Sequence, residues 1–278
     1  MTLDVLLLVL FAAFLHASWN ALVKSGQDKG LDATLIAVGA ALSGLPFLAF
    51  VSAPPVDVFP FLLASAVLQF VYFRLVAAAY SVGDIGLVYP LMRGVAPLLV
   101  AASSHLFLRE TLSGFALAGI AIISTGILTL ALEARRGSRR AILLACANAV
   151  VIASYTFVDG VGARRSGDAV GYTLWMSILP AVLLLAFAVR QRGTAAVALH
   201  VRRHWWRGLV GGAGSLLSYG LALWAMTRAP VALVAALRET SILFALGISV
   251  LVLKERAGLW RYCAGAVIAL GVLVMRLQ

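Results

Sequence analysis

The sequence predicts an all-α membrane protein, with ten transmembrane helices in two inverted five-helix repeats. Three observations lead there: a composition that no water-facing surface can accommodate, ten apolar runs of bilayer length, and an internal duplication. Hydrophobic residues make up 63% of the 278 and charged residues only 12%. A soluble domain carries about 25% charged and roughly 45–50% apolar residues, so this chain lacks the polar surface to face water on all sides.

Apolar stretches long enough to cross a hydrocarbon core, about 17–25 residues each, fall at 3–23, 31–52, 58–80, 84–108, 113–132, 140–161, 168–189, 206–227, 231–253 and 258–276. Helices are the expected form, because each span must satisfy its own backbone groups in lipid and no alternating strand pattern occurs. The first run begins with no preceding Lys or Arg and with Asp4 near its head, so it reads as a retained span and not as a secretory signal. Breakers punctuate the rest in order: Pro54-Pro55 before the third span, Gly83-Asp84 before the fourth, Arg135-Arg136-Gly137 before the sixth, Gly167-Asp168 before the seventh and Ala229-Pro230 before the ninth. The fifth and tenth spans are rich in small residues, and Gly119, Gly126, Gly265 and Gly271 allow close helix approach, either in packing or across a homodimer. Pro46, Pro90, Pro97 and Pro180 fall inside spans, where proline frees carbonyls and bends helices.

The duplication is read from two segments, DIGLVYPLMRGVAPLLVAASSHLFLRE (84–110) and PVALVAALRETSILFALGISVLVLKE (230–255). A shift of 145 residues carries Arg93 onto Arg238 and superposes Leu98, Ser104, Leu106, Leu108 and Glu110 on identical residues. The same shift matches Ala121, Ile123, Gly126 and Leu128 with Ala266, Ile268, Gly271 and Leu273. The repeats therefore occupy 1–134 and 135–278. With an odd number of spans in each, the second copy enters the membrane from the opposite side, and substrate is expected near the midplane between them. Arg93 lies nine residues beyond Asp84 and Arg238 eight beyond Pro230. At 1.5 Å per residue that is about 12–14 Å, near the middle of a roughly 30 Å core.

The formal net charge of +11 does not indicate a nucleic-acid partner, because the basic residues sit in short connections between apolar runs. Their bias toward the connections opposite the termini places both termini outside the cytoplasm by the positive-inside rule. Cys146 and Cys263 lie inside apolar runs and read as packing residues, not as a disulfide. His200 and His204 are four apart, but Arg202, Arg203 and Arg207 surround them, so a basic interfacial loop is expected and no metal site. The run GLVGGAGS (208–215) lacks the Lys-Ser/Thr ending of a phosphate loop and reads as tight helix packing. No metalloprotease, nucleophile-elbow or paired-carboxylate motif is present, so neither an enzyme nor a cofactor is expected.

The paired stops LFLRE (106–110) and LVLKE (251–255), the small-residue spans after them, and AAAYSVGDIGLVYPL (77–91) echoed by ALWAMTRAPVALVAAL (222–237) resemble the drug/metabolite transporter superfamily. Within it, the chain is similar to ten-span transporters with two EamA-type repeats. The resemblance covers nearly the whole chain and implies export of amino acids, other small metabolites or drugs. It also implies cytoplasmic termini, against the charge count.

Ionisable groups inside a span mark a pathway or a pair. Arg93 and Arg238 stay charged and need an anionic partner. Two readings follow: the arginines receive a substrate carboxylate or phosphonate, or Arg93 pairs internally with Glu239 to hold the fourth and ninth spans together. In HASWNALVK, which also holds Trp19, the residues His16, Asn20 and Lys24 recur every four and share one helical face, with a counterpart at Ser154, Tyr155, Thr156 and Asp159, as expected of cavity lining. Tyr72, Tyr89, Trp175, Tyr219 and Trp224 are candidates to shape a pocket or to pack. His16, Glu239 and Asp159 are the candidates for proton coupling. Gln69 and Arg74 are ambiguous.

The expectation is a secondary transporter in a bacterial-type inner membrane, its midplane cavity lined by spans one, three, four, six, eight and nine. Amino acids, including aromatic or apolar ones, are the first substrate class. A permease for phosphonate or other organic anions is the alternative, and a membrane-embedded enzyme the alternative of another class. The partners are the small-molecule substrate, the bilayer and a possible second copy through spans five and ten.

Overall fold

The computed structural model describes residues 1–24, 28–133, 138–252, 254 and 258–277. The connection at Arg135-Arg136-Gly137, the boundary between the expected repeats and Glu255 of the second stop lie outside them. The described residues form helices α1 (Leu3–Lys24), α2 (Lys29–Gly44), α3 (Phe59–Val82), α4 (Ile85–Leu108), α5 (Gly114–Thr129) and α6 (Arg139–Ser166). They continue with α7 (Ala169–Met176), α8 (Ile178–Arg192), α9 (Thr194–Met226), α10 (Val231–Arg238), α11 (Ser241–Gly247) and α12 (Leu259–Met275). No strand occurs among them. Among the described residues nine stretches of helix are long and apolar enough to cross a membrane, and α12 is a shorter apolar helix. The chain is an all-α membrane protein.

Local signals set the helix starts. Asp84, Ser113, Ser138 and Asp168 stand in extended backbone and accept hydrogen bonds from N–H groups of the first turn, which satisfies donors that lipid cannot. Two spans are interrupted, and a third is longer than expected. The seventh is two helices, α7 and α8, interrupted at Ser177. Pro180 has no N–H to bond the Met176 carbonyl, which explains the break. The ninth is α10, a turn at Glu239-Thr240, α11 and a π-helical stretch Ile248–Val252. Glu239 N bonds Ala236 O at 3.1 Å and Thr240 N bonds Leu237 O at 3.0 Å. The chain tightens from i−4 to i−3 bonding directly after Arg238. The eighth span begins earlier than the sequence predicts. Residues 194–207, expected as a basic loop, are the first part of the 33-residue helix α9, held by His200 Nε2 against Asp32 Oδ1 at 2.9 Å.

Packing exchanges the halves. α1 lies against α9 as α6 lies against α3, and α4 packs on α6 as α10 and α11 pack on α1. Glycine decides the closest crossings. A Cβ on Gly39 would collide with the Gly208 carbonyl of α9, so α2 and α9 touch backbone to backbone. The GLVGGAGS run accordingly serves helix contact. A Cβ on Gly119 would come within 2.7 Å of the Gly271 carbonyl, so these glycines join α5 to α12 inside one chain. Cys146 and Cys263, expected as packing residues, are exposed instead. They sit on the outer faces of α6 and α12, where a bilayer supplies the apolar surroundings.

Candidate functional site

A cavity of about 140 Å³ lies between the halves. Its lining includes His16 and Trp19 of α1, Gln69, Tyr72 and Phe73 of α3, Arg93 of α4, Tyr155 of α6, Tyr219 of α9 and Arg238 at the end of α10. Both arginines therefore face one hollow. Arg93, Tyr155 and Arg238 also wall a second, much smaller void with Glu239, Pro97 and Thr156. These three side chains form a septum between the two spaces.

The guanidinium groups differ in what satisfies them. Arg93 Nε donates to Glu239 Oε2 at 2.9 Å, with side chains only 8% and 5% exposed. This is the internal pair that the sequence allowed, and it ties α4 to the turn after α10. One carboxylate cannot serve two guanidinium groups in this geometry. Arg238 stacks instead on the Tyr219 ring, its Cζ 4.8 Å from the centroid. Its Nε is buried with no hydrogen-bond partner among the described residues. An unsatisfied guanidinium N–H in a cavity is expensive unless an anion or water completes it.

An aromatic chain continues from that ring. Tyr219 meets Tyr155 at 6.3 Å and Tyr155 meets Tyr72 at 5.8 Å, both edge to face. His16 and Trp19 pack edge to face at 5.1 Å on the opposite wall. The hollow thus presents an open cationic edge beside apolar ring faces.

Six other sequence candidates stand outside this lining. Asn20 turns its amide to the His16 carbonyl at 2.7 Å, closing a bond within α1. Asp159 is fully buried and accepts from Tyr172 Oη at 3.0 Å and Tyr219 Oη at 2.7 Å. Trp175 is half-buried against the core, and Trp224 lies there too, under Arg228 at 4.9 Å. Tyr89, half-buried in α4 just before Pro90, is not a lining residue. Arg74 stacks on Phe187 at 4.3 Å, outside the hollow.

The structure also brings in two spans that the sequence left out. α2 contributes Ala33, Ile36, Ala37 and Ala40, and the α7–α8 break contributes Met176, Ser177 and Pro180. Their small and apolar side chains carry no chemical signal. Only the proline interruption of the seventh span hints at a wall there.

One face of the bundle is closed by charge. Arg164 Nη1 pairs with Glu110 Oε1 at 2.7 Å. The same guanidinium donates from Nε to the Met226 carbonyl at 2.6 Å and from Nη2 to the Ala229 carbonyl at 2.9 Å. Glu110 in turn accepts from the Val231 N–H that opens α10, at 3.2 Å. Successive spans alternate in direction, so these ends of α4, α6 and α9 share the face of the chain termini. The cavity leans the other way, since α1 lends its second half and α2 its first half.

An all-helical bundle that surrounds a charged hollow with elements of both halves is the architecture of a small-molecule membrane transporter. Residues 139–277 match the family model described as the EamA-like transporter family. The chain belongs to that family, and so is an integral, multi-pass membrane protein of a group that transports small molecules. No curated protein matches its sequence. A solved structure described only as the crystal structure of a protein shares the fold, with a TM-score of 0.76 at 18% identity, over 99% of this chain and 98% of that one.

Proposed function

We propose that the protein is a secondary transporter of the inner membrane for small metabolites carrying a carboxylate and an apolar or aromatic body, with amino acids the first class, moved outward by alternating access. The observation that carries the reading is Arg238. It is a buried cation at the cavity wall, stacked on Tyr219, with no ion-pair partner among the described residues. A substrate carboxylate completes its open N–H edge, while Tyr72, Tyr155 and Trp19 offer ring faces to the apolar body. The Glu110–Arg164 closure on one face and the cavity leaning to the other fit one end state of an alternating cycle.

A second reading, transport of phosphonates or other organic anions, is favoured by a separate feature. Glu239 is taken by Arg93 and borders only the smaller void, and no acid lines the main cavity among the described residues, so nothing there pairs with a substrate ammonium except ring faces. Uptake into proteoliposomes separates the two, using radiolabelled L-phenylalanine, L-leucine, phenylacetate and phenylphosphonate. Transport of any of them is expected to fall at least tenfold in Arg238→Ala, a loss of about 1.4 kcal/mol or more. Normal transport in that variant overturns the assignment.

A further inference from the structure

We propose that Asp159, which does not reach the cavity, is a positioning residue for anion binding: it anchors the Tyr219 phenol and so fixes the ring that holds Arg238. The inference rests on the reading of Arg238 as the anion-binding group.

Asp159, Asp32 and Glu239 are fully buried acids. Asp32 faces His200 and Glu239 faces Arg93, whereas no ion pair of Asp159 occurs among the described residues. Its carboxylate is occupied by hydroxyls. Tyr172 Oη of α7 reaches Oδ1 at 3.0 Å and Tyr219 Oη of α9 reaches Oδ2 at 2.7 Å. A carboxylate with two oxygens divided between separate helices fixes each donor in direction as well as distance.

The consequence for Arg238 is geometric and electronic. Arg238 is the last residue of α10, directly before the tightened turn, and among the described residues the Tyr219 ring is the one aromatic face within cation–π range of it. A phenol that donates to a carboxylate is also richer in electron density over its ring than one that donates to water, which strengthens its attraction for a guanidinium. Holding the cation by its face leaves the N–H edges free for a planar anion. An acid in direct contact would occupy those edges, as Glu239 does for Arg93. Asp159 thus supports the cation at one remove, without competing with substrate.

Tyr172 provides an internal control. Tyr172→Phe and Tyr219→Phe each remove one phenol from the same carboxylate, yet only Tyr219 touches Arg238. The test is modification of Arg238 by phenylglyoxal in the full-length protein in nanodiscs, read by mass spectrometry of the Arg238 peptide. Slow modification is expected in the wild type and in Tyr172→Phe, and about five- to twentyfold faster modification in Tyr219→Phe, whose ring, released from Asp159, swings away and gives up a cation–π contact of moderate strength. Asp159→Asn is expected to fall between Tyr172→Phe and Tyr219→Phe, since the amide keeps one of the two acceptor positions and turns the other into a donor. Monodisperse elution and an unchanged helical circular-dichroism spectrum check that each variant is folded. Should Asp159→Asn fail to fold, the Tyr219→Phe and Tyr172→Phe pair still decides. Equal rates in those two variants, whether both slow or both fast, overturn the inference. Protection of Arg238 by millimolar phenylacetate or phenylphosphonate is measured in parallel. Loss of protection alone refutes the substrate reading and leaves the positioning result legible in its own right.

Discussion

Replacing Glu239 by alanine removes the anion from the Arg93 pair and leaves a buried cation with no ion-pair partner among the described residues. The two groups are bonded at 2.9 Å and are only 8% and 5% exposed, so the penalty belongs to the class of broken buried pairs, about 3–5 kcal/mol. Arg93 also borders the cavity, where water relieves part of its charge, which places the expectation at about 3 kcal/mol. At roughly 2–4 °C per kcal/mol for chains somewhat shorter than this one, that lowers the melting midpoint by about 6–12 °C. The assay is thermal unfolding in nanodiscs followed by intrinsic fluorescence, on Glu239→Ala, Arg93→Met and the double variant. The double variant is expected to regain most of the loss, because with both charges removed no buried ion is left to compensate. A Glu239→Ala protein that melts with the wild type, or a double variant whose losses simply add, refutes the claim that the two charges exist for each other. A second outcome follows from freeing Arg93 toward the cavity. Glu239→Ala is expected to favour phenylphosphonate over phenylacetate relative to wild type, as two guanidinium groups then serve one dianion.

The closure at the terminal face and the glycine crossing give two more tests. Glu110→Gln weakens the bond to Arg164 and the cap on Val231; a cysteine introduced at Ala235 is then expected to react several-fold faster with a membrane-impermeant thiol reagent from that face. An unchanged rate shows that apolar packing alone keeps the face shut. Gly119→Val places side-chain carbon against the Gly271 carbonyl and Met275 and is expected to destabilise by about 1–3 kcal/mol. Gly114→Val, at a site with nothing within 4 Å, serves as the neutral comparison in the same melting assay.

Much of this protein is decided by composition and periodicity. In a bilayer each backbone group must bond within its own helix, so the number and rough position of the spans follow from where apolar runs stop. The intramembrane position of Arg93 and Arg238 follows from counting residues, and their equivalence from the 145-residue shift. That both face one hollow required the packing of α4, α6 and α10. Which arginine is satisfied internally was also beyond a linear reading. Glu239 is the immediate neighbour of Arg238 yet pairs with Arg93, because the turn after α10 swings consecutive side chains to different sides. The role of α2 and of the seventh-span break was hidden for a different reason: alanines and a serine line a cavity by being small, and small residues look alike whether they border a void or a neighbouring helix. Asp159 shows the same limit. Its type and depth were legible, but its two tyrosines come from α7 and α9, and only the three-dimensional crossing of those helices over α6 brings the phenols to it. The sequence by itself determined the solvent this chain lives in and the charges it carries there. The tertiary structure decided which charge is spent on the protein and which remains open, because that depends on distances of a few ångströms between segments far apart in the chain.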